Sequence, residues 1–87
     1  MDNRKSVSQV VIDRLCKYIG EQNLTQYELA MRSGLAHSTI KSIMQRKTKS
    51  CDLGTVILLC KGLGIHVSEF VNTDEFVADN LKIRNVN

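Results

Sequence analysis

The feature that most constrains the fold is a pair of helix signals separated by one glycine. Thr25 and Glu28 form a T-x-x-E capping box, which starts a helix because each side chain satisfies the other residue's backbone N–H. Gly34 follows at the distance where a short helix ends in a left-handed residue. Ile40 and Ile43 then recur at helical spacing. Two short helices joined by a tight, glycine-containing turn are typical of a helix-turn-helix.

Helices are also predicted on both sides of this motif. Apolar residues recur at helical spacing over residues 6–22, and Ser6 is a suitable N-cap. Asp52 caps a fourth helix that Gly64 ends, and a brief fifth helix follows over residues 66–70. The sequence therefore predicts an all-α fold, a compact five-helix domain.

The length of 87 residues allows one domain and excludes the larger folds of dinucleotide-binding and barrel enzymes. We place the helical domain at residues 1–72 and a short extended C-terminal tail at residues 73–87. The tail is polar with spaced apolar side chains. We therefore expect that it docks on the domain or binds a partner.

The sequence shows no pattern typical of an enzyme or of a cofactor site. Cys16, Cys51 and Cys60 form no CxxC pair and match no zinc spacing, so we expect reduced thiols. Neither His37 nor His66 has a neighbouring nucleophile and acid of the kind that catalysis needs. No apolar run approaches the roughly 20 residues of a membrane span, and the first residues lack a signal-peptide core. We expect a cytoplasmic protein that is not an enzyme, with no cofactor, metal, small-molecule substrate or membrane partner.

The net charge of +3 understates how unevenly charge is distributed along the chain. Residues 29–51 contain no acidic side chain and these basic ones: Arg32, Lys41, Arg46, Lys47 and Lys49. Residues 66–87 are mainly acidic instead. A basic region that coincides with a helix-turn-helix favours the phosphate backbone of a nucleic acid as partner. The alternative is an ordinary solvated helical surface.

Several short sequence blocks agree in order and spacing with a known family. They are LTQYELA at residues 24–30, SGL at residues 33–35, STI at residues 38–40, LGI at residues 63–65, and Phe70. Through these blocks the chain resembles the Cro/C1-type helix-turn-helix family of bacterial and phage transcriptional regulators. The resemblance implies a lambda-repressor-like fold and sequence-specific binding to double-stranded DNA, as a repressor. It also implies a homodimer on two half-sites about one helical turn apart.

A few positions depart from the family pattern. Ala36 stands where a serine or threonine commonly caps the recognition helix. Arg46 replaces the glycine at the end of that helix, and Met44 replaces a glutamate. Ser50 and Cys51 replace an Asn-Pro pair. A lost cap costs about 1 kcal/mol, which a packed five-helix core can absorb.

The resemblance also assigns roles to individual side chains. It implies that the helix around residues 37–45 lies in the major groove and presents four side chains to base edges: His37, Ser38, Lys41 and Ser42. It implies phosphate contacts for one residue of the preceding helix and for the loop after the motif: Gln26, Arg46, Lys47, Thr48 and Lys49. Other roles stay open, namely a solvated helix start for His37, a phosphate contact for Lys41 and a surface amide for Gln26.

Two apolar residues of the fourth helix fall outside its core face. Ile57 and Leu58 are candidates for contact with a second subunit or with the tail, and the alternative is scattered surface apolar residues. The rival function is a protein-interaction module of the same fold, an antitoxin-like protein that binds its partner through the tail. The tail residues that favour this rival are Phe76, Val77, Leu81 and Ile83.

Overall fold

The structure, a computed structural model, describes residues 4–45 and 51–82. Within these residues the chain forms five α-helices: α1 Val7–Gln22, α2 Gln26–Ser33, α3 His37–Met44, α4 Leu53–Leu63 and α5 Val67–Phe70. The predicted all-α, five-helix fold is confirmed. None of the helices in the described part of the chain combines the length and the apolar character that crossing a membrane requires.

The predicted N-caps form as expected. The Ser6 hydroxyl accepts a hydrogen bond from the backbone N–H of Gln9 at 3.1 Å, at the start of α1. The Asp52 carboxylate accepts one from the N–H of Thr55 at 2.7 Å, at the start of α4. Gly64 ends α4 in the left-handed conformation with a φ of 72°. These ends were predictable because each cap involves residues close together in the sequence.

All five helices contribute to one apolar core. Its fully buried side chains come from different helices: Leu15, Leu29, Ile40, Leu59 and Phe70. The Tyr18 ring stacks on the Phe70 ring with centroids 6.1 Å apart, which joins α1 to α5. Aromatic pairs of this kind add roughly 0.5–1.5 kcal/mol to the burial of their surface. The core therefore holds the helix-turn-helix against α1, α4 and α5.

The Arg14 side chain fixes the end of α5 to α1. Its Nε donates a hydrogen bond to the Phe70 carbonyl at 2.7 Å, and one Nη donates to the Glu69 carbonyl at 2.8 Å. Carbonyl groups at a helix C-terminus lack partners within the helix, so they are strong acceptors for a guanidinium. One arginine therefore positions a helix of only four residues.

The tail contains more structure than the extended segment that the sequence led us to expect. Two 3-10 turns, Asp74–Phe76 and Ala78–Asn80, lead into β2 (Leu81–Lys82), which pairs in parallel with β1 (Lys5–Ser6). The Leu81 side chain is buried. A two-residue ladder provides few hydrogen bonds, so burial of apolar surface is the main reason that the tail docks on the domain. The boundary between residues 1–72 and 73–87 stays a prediction.

An ion-pair network lies over the same junction. The Lys5 ammonium is 2.8 Å from the Asp13 carboxylate of α1 and 2.7 Å from the Glu75 carboxylate of the first 3-10 turn. Hydrogen bonds to Asp13 and then to Glu75 raise the pKa of Lys5 well above its usual range. Lys5 therefore stays charged at any working pH and links β1 to the tail.

Candidate nucleic-acid interface

The four predicted base-contact residues lie on one side of α3. They form two adjacent pairs, 37/38 and 41/42, and the second pair follows the first after one helical turn, so the four share one side of the helix. His37, Ser38 and Lys41 are exposed, and Ser42 is half-buried. Ile40 and Ile43 on the opposite side are buried in the core. The structure thus brings the four together on the outward face of α3, as the sequence predicted, while their contacts to bases stay a prediction.

The turn between α2 and α3 is held by a residue that sequence reasoning missed. Ser33 is fully buried, and its hydroxyl donates to the Ala30 carbonyl and accepts from the Leu35 N–H, each at 3.2 Å. Gly34 next to it has a φ of 80°, the left-handed conformation predicted for this turn. The available signal was a serine directly before the turn glycine, a position where a hydroxyl reaches the backbone of the turn.

The N-terminus of α2 keeps two backbone donors free. The Thr25 hydroxyl accepts from the Glu28 N–H, and the Glu28 carboxylate accepts from the Thr25 N–H, both at 3.0 Å, so the capping box is complete. The N–H groups of Gln26 and Tyr27 have no acceptor within a first helical turn. No acceptor for them is found among the residues that the structure describes. These donors and the half-buried Gln26 amide suit an anionic oxygen.

The same capping box holds a negative charge at the N-terminus of α2. Hydrogen bonds from Thr25, the backbone N–H first, lower the pKa of the Glu28 carboxyl. Glu28 is therefore ionised at neutral pH, with its charge turned into the capping box. The negative charge of Glu28 at the helix N-terminus therefore stabilises α2 in the free protein.

The start of α3 differs from the start of α2 because it has no side-chain cap. Ala36 occupies the N-cap position and accepts with its carbonyl from the Thr39 and Ile40 N–H groups, but it offers no side-chain acceptor. The departure from the family pattern at this position thus has the predicted local consequence. Next to it, the Tyr27 and His37 rings meet edge to face, with centroids 6.0 Å apart and planes at 89°. Nothing in the local sequence pattern pointed to this pair.

The predicted phosphate contacts after α3 lie outside the described residues: Arg46, Lys47, Thr48 and Lys49. The described chain resumes at Cys51, which is half-buried beside the start of α4. Burial raises the pKa of the Cys51 and Cys60 thiols, so neither is a reactive thiolate at neutral pH. Among residues 4–45 and 51–82, no group of His, Cys, Asp or Glu side chains is arranged to hold a metal ion.

Ile57 and Leu58 remain at the surface of α4. Their exposed fractions are 48% and 37%, and Leu53, one turn before Ile57, is 66% exposed. The described part of the tail packs on α1 and β1 instead. Contact of these residues with a second subunit stays a prediction, as does partner binding through the tail, whose Val77 is exposed while Leu81 is buried.

Comparison with known proteins identifies a family for the part of the chain that contains α2 and α3. A family model described as Cro/C1-type HTH DNA-binding domain matches residues 14–75, which include α2, α3, α4 and α5. No curated protein and no solved structure matches the chain significantly. The matched region contains the outward face of α3 and the free N–H groups of α2.

Proposed function

The chain belongs to the Cro/C1-type HTH DNA-binding domain family, and from that premise we propose that it is a sequence-specific transcriptional repressor of a double-stranded operator. The observation that carries this proposal is the outward face of α3. Its side chains are polar and, apart from the half-buried Ser42, exposed, while the opposite face of the same helix is buried. An α-helix presented in this way fits the width of the DNA major groove.

Each residue of that face can read a base edge. Ser38 and Ser42 donate or accept, so they tolerate several base pairs. Lys41 donates to the acceptors of guanine, and the His37 imidazole has one donor and one acceptor nitrogen when neutral. A single correct base contact discriminates by about 1–3 kcal/mol. Four such side chains on one face are enough to define a half-site.

The neighbouring groups would fix the register on the backbone. The free N–H groups at the start of α2 and the Gln26 amide approach one phosphate, and the basic side chains of Arg46, Lys47 and Lys49 with the Thr48 hydroxyl approach phosphates further along. Contacts of this kind carry no sequence information but determine where α3 sits in the groove. They also make binding depend on salt, since each neutralised phosphate releases counterion.

The exposed apolar face of α4 would form the contact between two copies. Leu53 and Ile57 are one helical turn apart, and Leu58 extends the same surface. A symmetric dimer would place two recognition helices about 34–36 Å apart, one turn of DNA. Ile57→Glu should therefore abolish the dimer in sedimentation equilibrium and weaken binding to a two-half-site operator. Cys16→Glu, at an exposed position of α1, controls for the added charge.

Selection of bound sites from random DNA, followed by affinity measurements at several salt concentrations, tests the function. A defined two-fold symmetric site is expected. The double change Lys47→Ala and Lys49→Ala should lower the salt slope by about 0.9 for each lost phosphate contact and leave the preferred sequence unchanged. Lys17→Ala is the matched control, because this ammonium lies over the Tyr18 ring on α1, 5.2 Å from its centroid. Equal binding to all sequences would contradict the proposal.

A further inference from the structure

The position of the Tyr27 side chain is not explained by packing of α2 on the core. It lies in the first turn of α2, and 60% of its surface is exposed, so it contributes little to the core. Its one aromatic contact among the described residues is with His37, the first residue of α3. The ring therefore connects the first turn of α2 with the first residue of α3.

His37 is the first residue of α3 and the partner of the Tyr27 ring. It follows Ala36, which gives α3 no side-chain cap, and its own side chain is exposed. No hydrogen bond to its imidazole is found among the residues that the structure describes. A base contact requires one defined orientation of the ring. If that orientation is already fixed in the free protein, the entropy lost in ordering the ring does not reduce the affinity for DNA. The edge-to-face contact with Tyr27 restricts the orientation in the free protein.

We propose that Tyr27 is a specificity-determining positioning residue, whose ring holds the His37 imidazole in the orientation that reads one base pair. This inference rests on the proposed function, since it concerns how the outward face of α3 discriminates between sequences. Tyr27 acts through His37 and not through a base contact of its own.

The expected effect is local to one base pair. A base contact discriminates about 5- to 150-fold against a wrong base pair. Losing an aromatic partner should reduce that preference by roughly 2- to 12-fold, the range that corresponds to an edge-to-face pair. Preferences at the other base pairs of the half-site should not change, because the Tyr27 ring pairs with His37.

The experiment compares binding of the full chain to its selected site and to every single base-pair variant of that site. His37→Ala first identifies the base pair that His37 reads, as the position where the preference disappears. Tyr27→Ala should reduce the preference at the same position, Tyr27→Phe should retain it because the ring remains, and the double variant should behave as His37→Ala alone. Met31→Ala is the matched control, since Met31 lies one turn further along α2 and is 68% exposed.

A second measurement needs no DNA. In the free protein, the NMR signals of the His37 ring protons should shift when Tyr27 is changed to alanine and stay nearly constant with Met31→Ala. The thermal midpoint of each variant shows whether α2 still folds.

The outcomes separate this inference from the function on which it rests. Absence of any site preference in the unchanged protein would overturn both. A preserved preference with Tyr27→Ala at the base pair that His37 reads would overturn the inference alone. So would an even loss of affinity at all sequences with Tyr27→Phe, because that result would assign the hydroxyl to a phosphate contact.

Discussion

Gly62 of α4 packs closely against Ser33 of α2, so a side chain at position 62 would force its neighbours to shift. A Cβ built on Gly62 would lie 3.0 Å from the Ser33 Cβ and 3.1 Å from the Ser33 backbone nitrogen. The same Ser33 holds the turn before α3 through its hydroxyl. The glycine therefore lets α4 support the helix-turn-helix at the position where the turn begins.

Gly62→Ala should destabilise the protein by about 1–3 kcal/mol, because the added methyl would press on the Leu29 Cδ1 and the Ser33 Cβ at 3.0 Å and on the Ser33 backbone nitrogen, which is fixed in α2. Denaturant unfolding measures the change. Gly20→Ala is the matched control, since nothing lies within 4 Å of a Cβ at that position in α1. The control should stabilise by up to about 1 kcal/mol, as alanine favours a helix more than glycine does. Equal effects at the two glycines would contradict the close contact.

Ala36→Ser should stabilise α3. A serine at the N-cap accepts from the N–H groups of the first turn, which the alanine side chain cannot do, and such a cap contributes about 0.5–2 kcal/mol. Thermal unfolding checks the gain. Ala36→Val offers no acceptor and should give none, so a gain with both substitutions would exclude capping as the cause.

Stability should fall in acid because two helix caps are carboxylates. Hydrogen bonds lower the pKa of Glu28 from its usual 4.5 and the pKa of Asp52 from its usual 3.8. A carboxyl whose pKa is lowered by folding stabilises the protein at pH values above its usual pKa. This stabilisation is lost as the pH falls from the usual pKa through the folded-state pKa. Thermal midpoints between about pH 3 and pH 7 should therefore decline toward acid.

The variants Glu28→Gln and Asp52→Asn together should flatten that decline, because neutral amides still accept hydrogen bonds but do not titrate. Glu21→Gln also removes one negative charge, near the C-terminal end of α1, but Glu21 belongs to neither cap, so this variant serves as the control. A decline in the double variant as steep as in the unchanged protein would show that other groups cause the acid sensitivity.

Docking of the tail should depend on Leu81 much more than on Lys5. Leu81→Ala removes a buried side chain and should cost about 2–5 kcal/mol, whereas Lys5→Ala breaks exposed ion pairs, which solvent screens and which contribute much less. Denaturant unfolding compares the two, and limited proteolysis within residues 73–82 reports release of the tail. Val77→Ala, at an exposed position, controls for loss of an apolar side chain. Equal costs for Leu81→Ala and Val77→Ala would contradict the packing of the tail.

The sequence predicted those features that depend on neighbours along the chain. Caps at Ser6, Thr25 and Asp52 and the turn at Gly34 are local, so pattern and spacing were sufficient. The residues expected on the outward face of α3 were implied by the family resemblance, position by position. These predictions needed no knowledge of how the helices pack.

Features that join distant segments were not predictable in the same way. The parallel pairing of Lys5 with Leu81 links residues that no local pattern connects. The Tyr27–His37 pair depends on the angle between two helices, and the small space beside Gly62 depends on how α4 crosses α2. Each requires the packed structure, because it arises from geometry between elements.

The hydrogen bonds of Arg14 have a consequence for how the protein tolerates sequence change. Its guanidinium donates to the backbone carbonyls of Glu69 and Phe70. Every amino-acid residue has a backbone carbonyl, whatever its side chain. The anchor therefore does not depend on which side chains occupy exposed positions such as Ser68. A library of substitutions on the surface of α5 should keep the helix in place, so this short helix is a site where new surface properties can be introduced without redesigning the domain.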